Sequence, residues 1–201
     1  MQFEQPTVPA PAATRTADPV LVEIVIDESP SEYDVDPHGH RHVAARRIVE
    51  LLRTDLACRG DRVAVVHFAA RPGPVLRPQD PHTRRGRRRL RRALRPQGSG
   101  PTTDIRAALV AAARLLPRRW SGPTVTLVMT DGYDESSTED LTAAVGRFPP
   151  RSVHVFSVRA PVPEKWESVP LGSVTEVVST TRPDAIEWAA ASLLFRALEL
   201  T

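Results

Sequence analysis

One cysteine, one lysine and few aromatic residues mark this 201-residue sequence. Cys58 has no second cysteine to pair with. An internal disulfide framework is excluded, and a reducing cytoplasm is the expected home. No run approaches the roughly 20 apolar residues needed to cross a bilayer, so no membrane partner is expected. Residues 1–19 lack the basic start and apolar middle of a signal peptide. They read as a flexible leader rich in proline, alanine and threonine, with residues 20–201 as one domain. Of the 27 basic residues only Lys165 is lysine. That bias, beside 20 prolines and abundant alanine, points to a high-GC bacterial genome more than to a function.

A hydrophobic content of 41% and a charged content of 25% are ordinary for a globular chain. The organising stretch is Val20 to Ser31. Its first seven residues are apolar apart from Glu23 and mostly β-branched, which fits a strand buried on both faces. The run stops at Asp27, Ser29 and Ser31, three oxygen-bearing side chains at alternate positions. Pro30 is expected to keep a helix from starting there. In open α/β sheets, ligands bind beyond the carboxyl ends of the strands. Hard oxygens at such an end suit a hard cation such as Mg²⁺.

The rest of the chain alternates between strand and helix patterns. A polar loop over 32–41 leads to a helix from His42 to Cys58, closed by Gly60. Strands are expected at Arg62–Ala69 and, as a short antiparallel edge, at Arg71–Arg77. The strongly basic segment Thr83–Arg95 precedes a Gly/Pro loop and a helix over Thr103–Leu116. Thr124–Thr130 reads as a core strand, Ser137–Phe148 as a helix and Ser152–Val158 as a strand. A linker with three prolines, Ala160–Gly172, leads to a short strand at Val174–Val178. Pro183 opens a last helix. This order predicts an α/β fold with a doubly wound, mostly parallel sheet and helices on both faces.

Two further oxygens fall at matching places. Thr103 lies at a loop-to-helix junction and Asp131 at a strand end, both expected on the sheet edge that carries Asp27. Two carboxylates and three hydroxyls would leave a divalent ion electrophilic enough to attract another anion. Here the sequence resembles the von Willebrand factor type A (vWA) domain family. Asp27-Glu28-Ser29-Pro30-Ser31 matches its D-x-S-x-S motif, followed in order by Thr103-Asp104-Ile105 and Thr130-Asp131-Gly132. A bare D-x-S-x-S arises by chance in on the order of a few per cent of such chains; its strand context and the later partners make it specific. Thr103 is chosen over Thr102 because Asp104-Ile105 follows it as in the family pattern.

The resemblance implies a Rossmann-like sheet with one antiparallel edge strand. It also implies a complete metal-ion-dependent adhesion site (MIDAS) of Asp27, Ser29, Ser31, Thr103 and Asp131. That site would hold Mg²⁺ or Mn²⁺, with a protein partner's Asp or Glu carboxylate completing the shell. Bacterial relatives serve as adaptors of AAA+ ATPases, which makes that setting an expectation. No catalysis is expected.

Three alternatives stand beside this reading. A Mg²⁺-dependent phosphotransferase or phosphatase is disfavoured, because the residue two after Asp27 is Ser29 where a nearby acid is needed, and Lys165 lies in a linker. The arginine run over 84–95 suits nucleic acid, an acidic protein surface, or merely a solvated helix face. It has no interleaved aromatics for single-strand stacking. His38, His40 and His42 offer imidazoles for Zn²⁺ or Ni²⁺, but their spacing matches no closed zinc site and a solvated loop is favoured. His67 and His154 are expected in the core or at its edge, and Trp166 is the tryptophan expected to be exposed.

Overall fold

The computed structural model describes residues 18–98, 102–158, 160–177 and 185–199. Among them, six strands form one sheet in the order β3-β2-β1-β4-β5-β6. They are β1 Leu21–Asp27, β2 Arg62–Phe68, β3 Pro72–Gln79, β4 Thr124–Met129, β5 Val153–Val158 and β6 Ser173–Val177. Every pairing is parallel except β2 with β3, which is antiparallel at the edge. Prolines at 72, 74 and 78 are tolerated in β3 because its outer side carries no ladder. The expected architecture is therefore present.

β1 is central and all seven of its residues are buried. Its side chains alternate between two cores. Val22, Ile24 and Ile26 pack with α2 (His40–Arg53), α3 (Arg84–Ala93) and α6 (Ala185–Glu199). Val25 packs on the other face with α4 (Ile105–Ala113) and α5 (Thr138–Val145). A strand covered on both faces explains the nearly unbroken apolar run. The one exception, Glu23, is fully buried between the layers.

Several expectations need correction. Pro30 does not block a helix; it opens one, α1, over Pro30–Val35 with Ser29 as N-cap. Proline's fixed φ suits the first helical turn, where its missing N–H is not needed. α2 starts earlier than expected and ends at Arg53, not Cys58. Leu56 N–H donates back to Leu51 O at 2.8 Å, which closes the helix end without a glycine. Gly60 sits later, at φ 106°, in the turn before β2. Thr103 precedes α4, whose N-cap is Asp104. Trp166 is buried, not exposed: the linker folds back as a 3₁₀ turn over Glu164–Ser168 and drives the indole into the α4/α5 core. Trp188 is the exposed tryptophan. His67 and His154 are buried within strands as expected. Residues 99–101 of the Gly/Pro loop, Pro183 and the leader up to residue 17 lie outside the described residues.

Candidate metal centre

The carboxyl edge of the sheet gathers three loops. β1 ends at Asp27, and Glu28 N–H continues along β2 by donating to Phe68 O at 2.7 Å. The chain then turns tightly: Ser29 N–H donates to Asp27 Oδ1 at 2.9 Å, and the Ser29 and Ser31 Oγ atoms lie 3.2 Å apart. β4 is tied to β1 by Thr130, whose Oγ1 donates to Asp27 Oδ2 at 2.6 Å and accepts from Gly132 N–H at 3.0 Å. Asp131 Oδ1 accepts from Tyr133 N–H at 3.0 Å. These bonds fix the orientation of the Asp27 and Asp131 carboxylates.

The third loop is held by backbone groups on both sides. Asp104 N–H donates to Ala69 O at 2.9 Å, just past β2. Ile105 N–H donates to Asp134 Oδ2 at 3.2 Å, just past β4. Thr103 is half-buried beside these anchors. Lys165 Nζ donates to Asp134 O at 2.8 Å and sits on Asp134 Oδ1 at 2.5 Å. The single lysine thus braces the Asp134 loop. Gly132 takes φ 79°, and an added Cβ would stand 2.9 Å from Pro163 Cδ. Trp166 Nε1 donates to Gly132 O at 3.2 Å, so the buried indole caps the turn that presents Asp131.

A residue outside the expected set joins the cluster. Carboxylate oxygens of Asp27, Glu32 and Asp131 all lie within 4.8 Å of one another, and all three residues are buried. Among the described residues no other group of three or more His, Cys, Asp or Glu side chains converges in this way. Glu32 reaches the site because α1 turns it inward, and α1 itself was unexpected. The signal was present: Ser-Pro-Ser-Glu carries a serine N-cap, a proline at N1 and an acid in the first turn.

Electrostatics favour an incoming cation. Burial raises Asp27 to about 6 against the hydrogen bonds from Thr130 and Ser29, and the charge of Asp131 adds to the rise. Burial likewise holds Glu32 well above the usual carboxylate range; Arg41 opposes this, while Asp27, Asp131 and Asp36 reinforce it. A divalent ion would displace protons from such groups and relieve their repulsion.

Behind the cluster lies one buried cation. Arg41 Nε donates to Asp27 O at 2.9 Å, and Nη1 lies 3.1 Å from Asp36 Oδ2 and 3.6 Å from Glu32 Oε2. Nη2 stands 4.0 Å from Glu28 Oε2. Burial pushes Glu28 up, but the neighbouring His42 and His67 outweigh it and bring the group down to about 2. His67 Nδ1 lies 2.7 Å and His42 Nε2 3.5 Å from Glu28 Oε1. His42 is therefore turned inward, while His40 Nδ1 faces Asp36 Oδ1 at 3.0 Å. The three histidines of this loop do not form a metal group among the described residues.

A sequence model of the von Willebrand factor type A domain matches residues 22–133. The chain belongs to the vWA family. No curated protein matches the sequence. Among solved structures, the pilus adhesin SpaC of Lactobacillus rhamnosus GG superposes with a TM-score of 0.67 at 13% identity, over 92% of this chain and 31% of that one. A von Willebrand factor type A protein from Catenulispora acidiphila gives 0.64 at 21% identity, over 88% and 43%. Proximal thread matrix protein 1 of the mussel byssus, in a form with zinc in its MIDAS motif, gives 0.61 at 16% identity, over 90% and 47%. This vWA chain thus spans from about a third to under half of those proteins. At such identities the likeness speaks for the fold alone.

Proposed function

We propose that this vWA domain is a non-catalytic, divalent-metal-dependent protein-interaction module. The carrying observation is the convergence of Asp27, Glu32 and Asp131 within 4.8 Å beside the Ser29 and Ser31 hydroxyls. The donors are all hard oxygens, which suit Mg²⁺ or Mn²⁺. Asp27 and Asp131 would hold the ion directly or through water, with Ser29, Ser31 and Thr103 as hydroxyl ligands. Glu32 lies 3.6 Å from Arg41 Nη1, which offsets its charge, so Asp27 and Asp131 would balance the ion and leave it able to attract an anion. Burial closes the floor at Asp27 and Ser29, while Ser31 and Thr103 keep partial exposure. A partner's Asp or Glu would enter on that side. Tyr133, 53% exposed and next but one to Asp131, offers an aromatic contact at the rim. The adhesins among the structural neighbours agree with a protein partner. Service to an AAA+ ATPase in the cytoplasm belongs to the same proposal and rests on the family resemblance and the lone Cys58. No helix among the described residues is long and apolar enough to cross a membrane.

Lysine chemistry for phosphate transfer gains no support, because Lys165 is held by Asp134.

The test separates adhesion from a structural metal. Thr103→Ala removes one partly exposed hydroxyl, so thermal unfolding should report a loss of about 1 kcal/mol or less. Capture of an acidic partner from native lysate should need Mg²⁺, vanish with chelator and fall tenfold or more in the variant, about 1.4 kcal/mol. Full capture by Thr103→Ala would leave the metal a bracing role only.

A further inference from the structure

The vWA site leaves the arginine run unused. Its helix α3, reading Arg-Arg-Gly-Arg-Arg-Arg-Leu-Arg-Arg-Ala, lies beside α2. Between them runs a groove of about 980 Å³ lined by Arg46 and Arg53 of α2 and Arg84, Arg85, Arg88 and Arg91 of α3, among others. The one carboxylate in it, Glu50, is already held by Arg53 at 2.6 Å. Among the described residues, Arg46, Arg84, Arg85, Arg88 and Arg91 take part in no salt bridge, and all five are exposed.

This arrangement is costly without an anion. Arginines three and four apart on one helix repel. The first turn of α3 holds no acid and several arginines, against the positive end of the helix dipole. What pins the helix is its inner side. Thr83 caps it by accepting from Gly86 N–H at 3.0 Å, and Gly86 is required because a Cβ there would meet Asp80 O at 1.8 Å. Leu90 and Leu94 anchor it in the core. The charged face is thus held rigidly outward.

We infer that this groove binds the phosphate backbone of double-stranded nucleic acid without regard to base sequence. Three observations choose the occupant. Leu90 and Leu94 are 1% and 2% exposed, so the groove offers little apolar anchorage to an acidic helix, and separate surface ion pairs contribute little each. No aromatic residue lines it, which removes the stacking a single strand needs. Charge density decides the rest. Ten helical residues span roughly 15 Å, a length over which a duplex presents about nine phosphates. An extended polyglutamate presents about half as many charges over that length. Arginine forks also match phosphate oxygens bidentately.

The test is fluorescence anisotropy of a labelled 20-base-pair DNA duplex titrated with the full chain at several salt concentrations, with and without chelator. The expected result is binding at low salt that weakens steeply as salt rises and ignores chelator. Arg84, Arg85, Arg88 and Arg91 changed together to Gln should flatten the log–log salt slope by about three to four units. Gln relieves repulsion and keeps helix propensity, so unfolding midpoints should not fall. An alternative quartet on Arg106, Arg114, Arg118 and Arg147, away from the groove, should leave the slope unchanged. No duplex binding at low salt overturns the inference. So does equal affinity for a polyglutamate of matched charge, tighter binding of the single strand, or an unchanged slope in the groove variant.

Discussion

Arg41→Ala should lose about 3–5 kcal/mol of stability, read as a shift of the urea unfolding midpoint. Arg41 is 2% exposed and is the cation around which Asp36, Glu32 and Glu28 are arranged. Its removal strips the guanidinium from the buried carboxylates of Asp36 and Glu32, and that is the expensive half of breaking a buried pair. It also strips the hydrogen bond from Nε to Asp27 O. Arg41→Met tests the cause, since it restores volume without charge. It should remain within about 1 kcal/mol of the alanine variant if charge dominates. Near-complete rescue by methionine would show that packing of the arginine stem mattered more than its charge.

Glu23→Gln should remove a pH dependence. Glu23 is 0% exposed; Thr126 Oγ1 donates to Oε2 at 3.1 Å, and Oε1 has no hydrogen-bond partner among the described residues. Burial raises it to about 8, against the Thr126 bond. Between its ordinary value of 4.5 and about 8, the native state keeps a proton that the unfolded state releases. Stability therefore falls as pH rises through that window, by about 1.4 kcal/mol per unit. Asp27 and Glu32 slope in the same sense, so the readout is wild type minus variant. That difference should grow in favour of Gln from pH 5 to pH 8, on the order of 4 kcal/mol in all. The absolute level carries an offset from the new amide, but the slope does not. Parallel stability curves would show that Glu23 titrates normally.

These two groups also show where sequence reasoning stops. Strand positions were legible because β-branched runs and turn residues are local signals: β1, β2, β4 and β5 lie where the pattern put them, and β3 forms the antiparallel edge. The placement of Asp27 and Asp131 followed from topology, since parallel strands share a carboxyl edge. Arg41 and Glu23 were not legible as core residues. Their burial depends on partners far along the chain, such as Thr126 for Glu23, 103 residues away. Glu32 was missed because Pro30 reads as a helix breaker when its place at a helix start is overlooked. Trp166 was misplaced because proline-rich composition describes a linker's backbone, not what its one large side chain packs against. His42 looked like one of three equivalent loop imidazoles, yet α2 begins at His40 and turns it toward Glu28.

Titration calorimetry of Mg²⁺ and of Mn²⁺ into the full chain, Asp27→Ala and Asp131→Ala measures most directly whether the carboxylates gathered at the ends of β1 and β4 hold a divalent ion. One ion per wild-type chain is expected, with affinity weakened tenfold or more, about 1.4 kcal/mol, in each variant. No uptake by the wild type at millimolar metal, or the same uptake in all three proteins, would contradict a metal centre at this sheet edge.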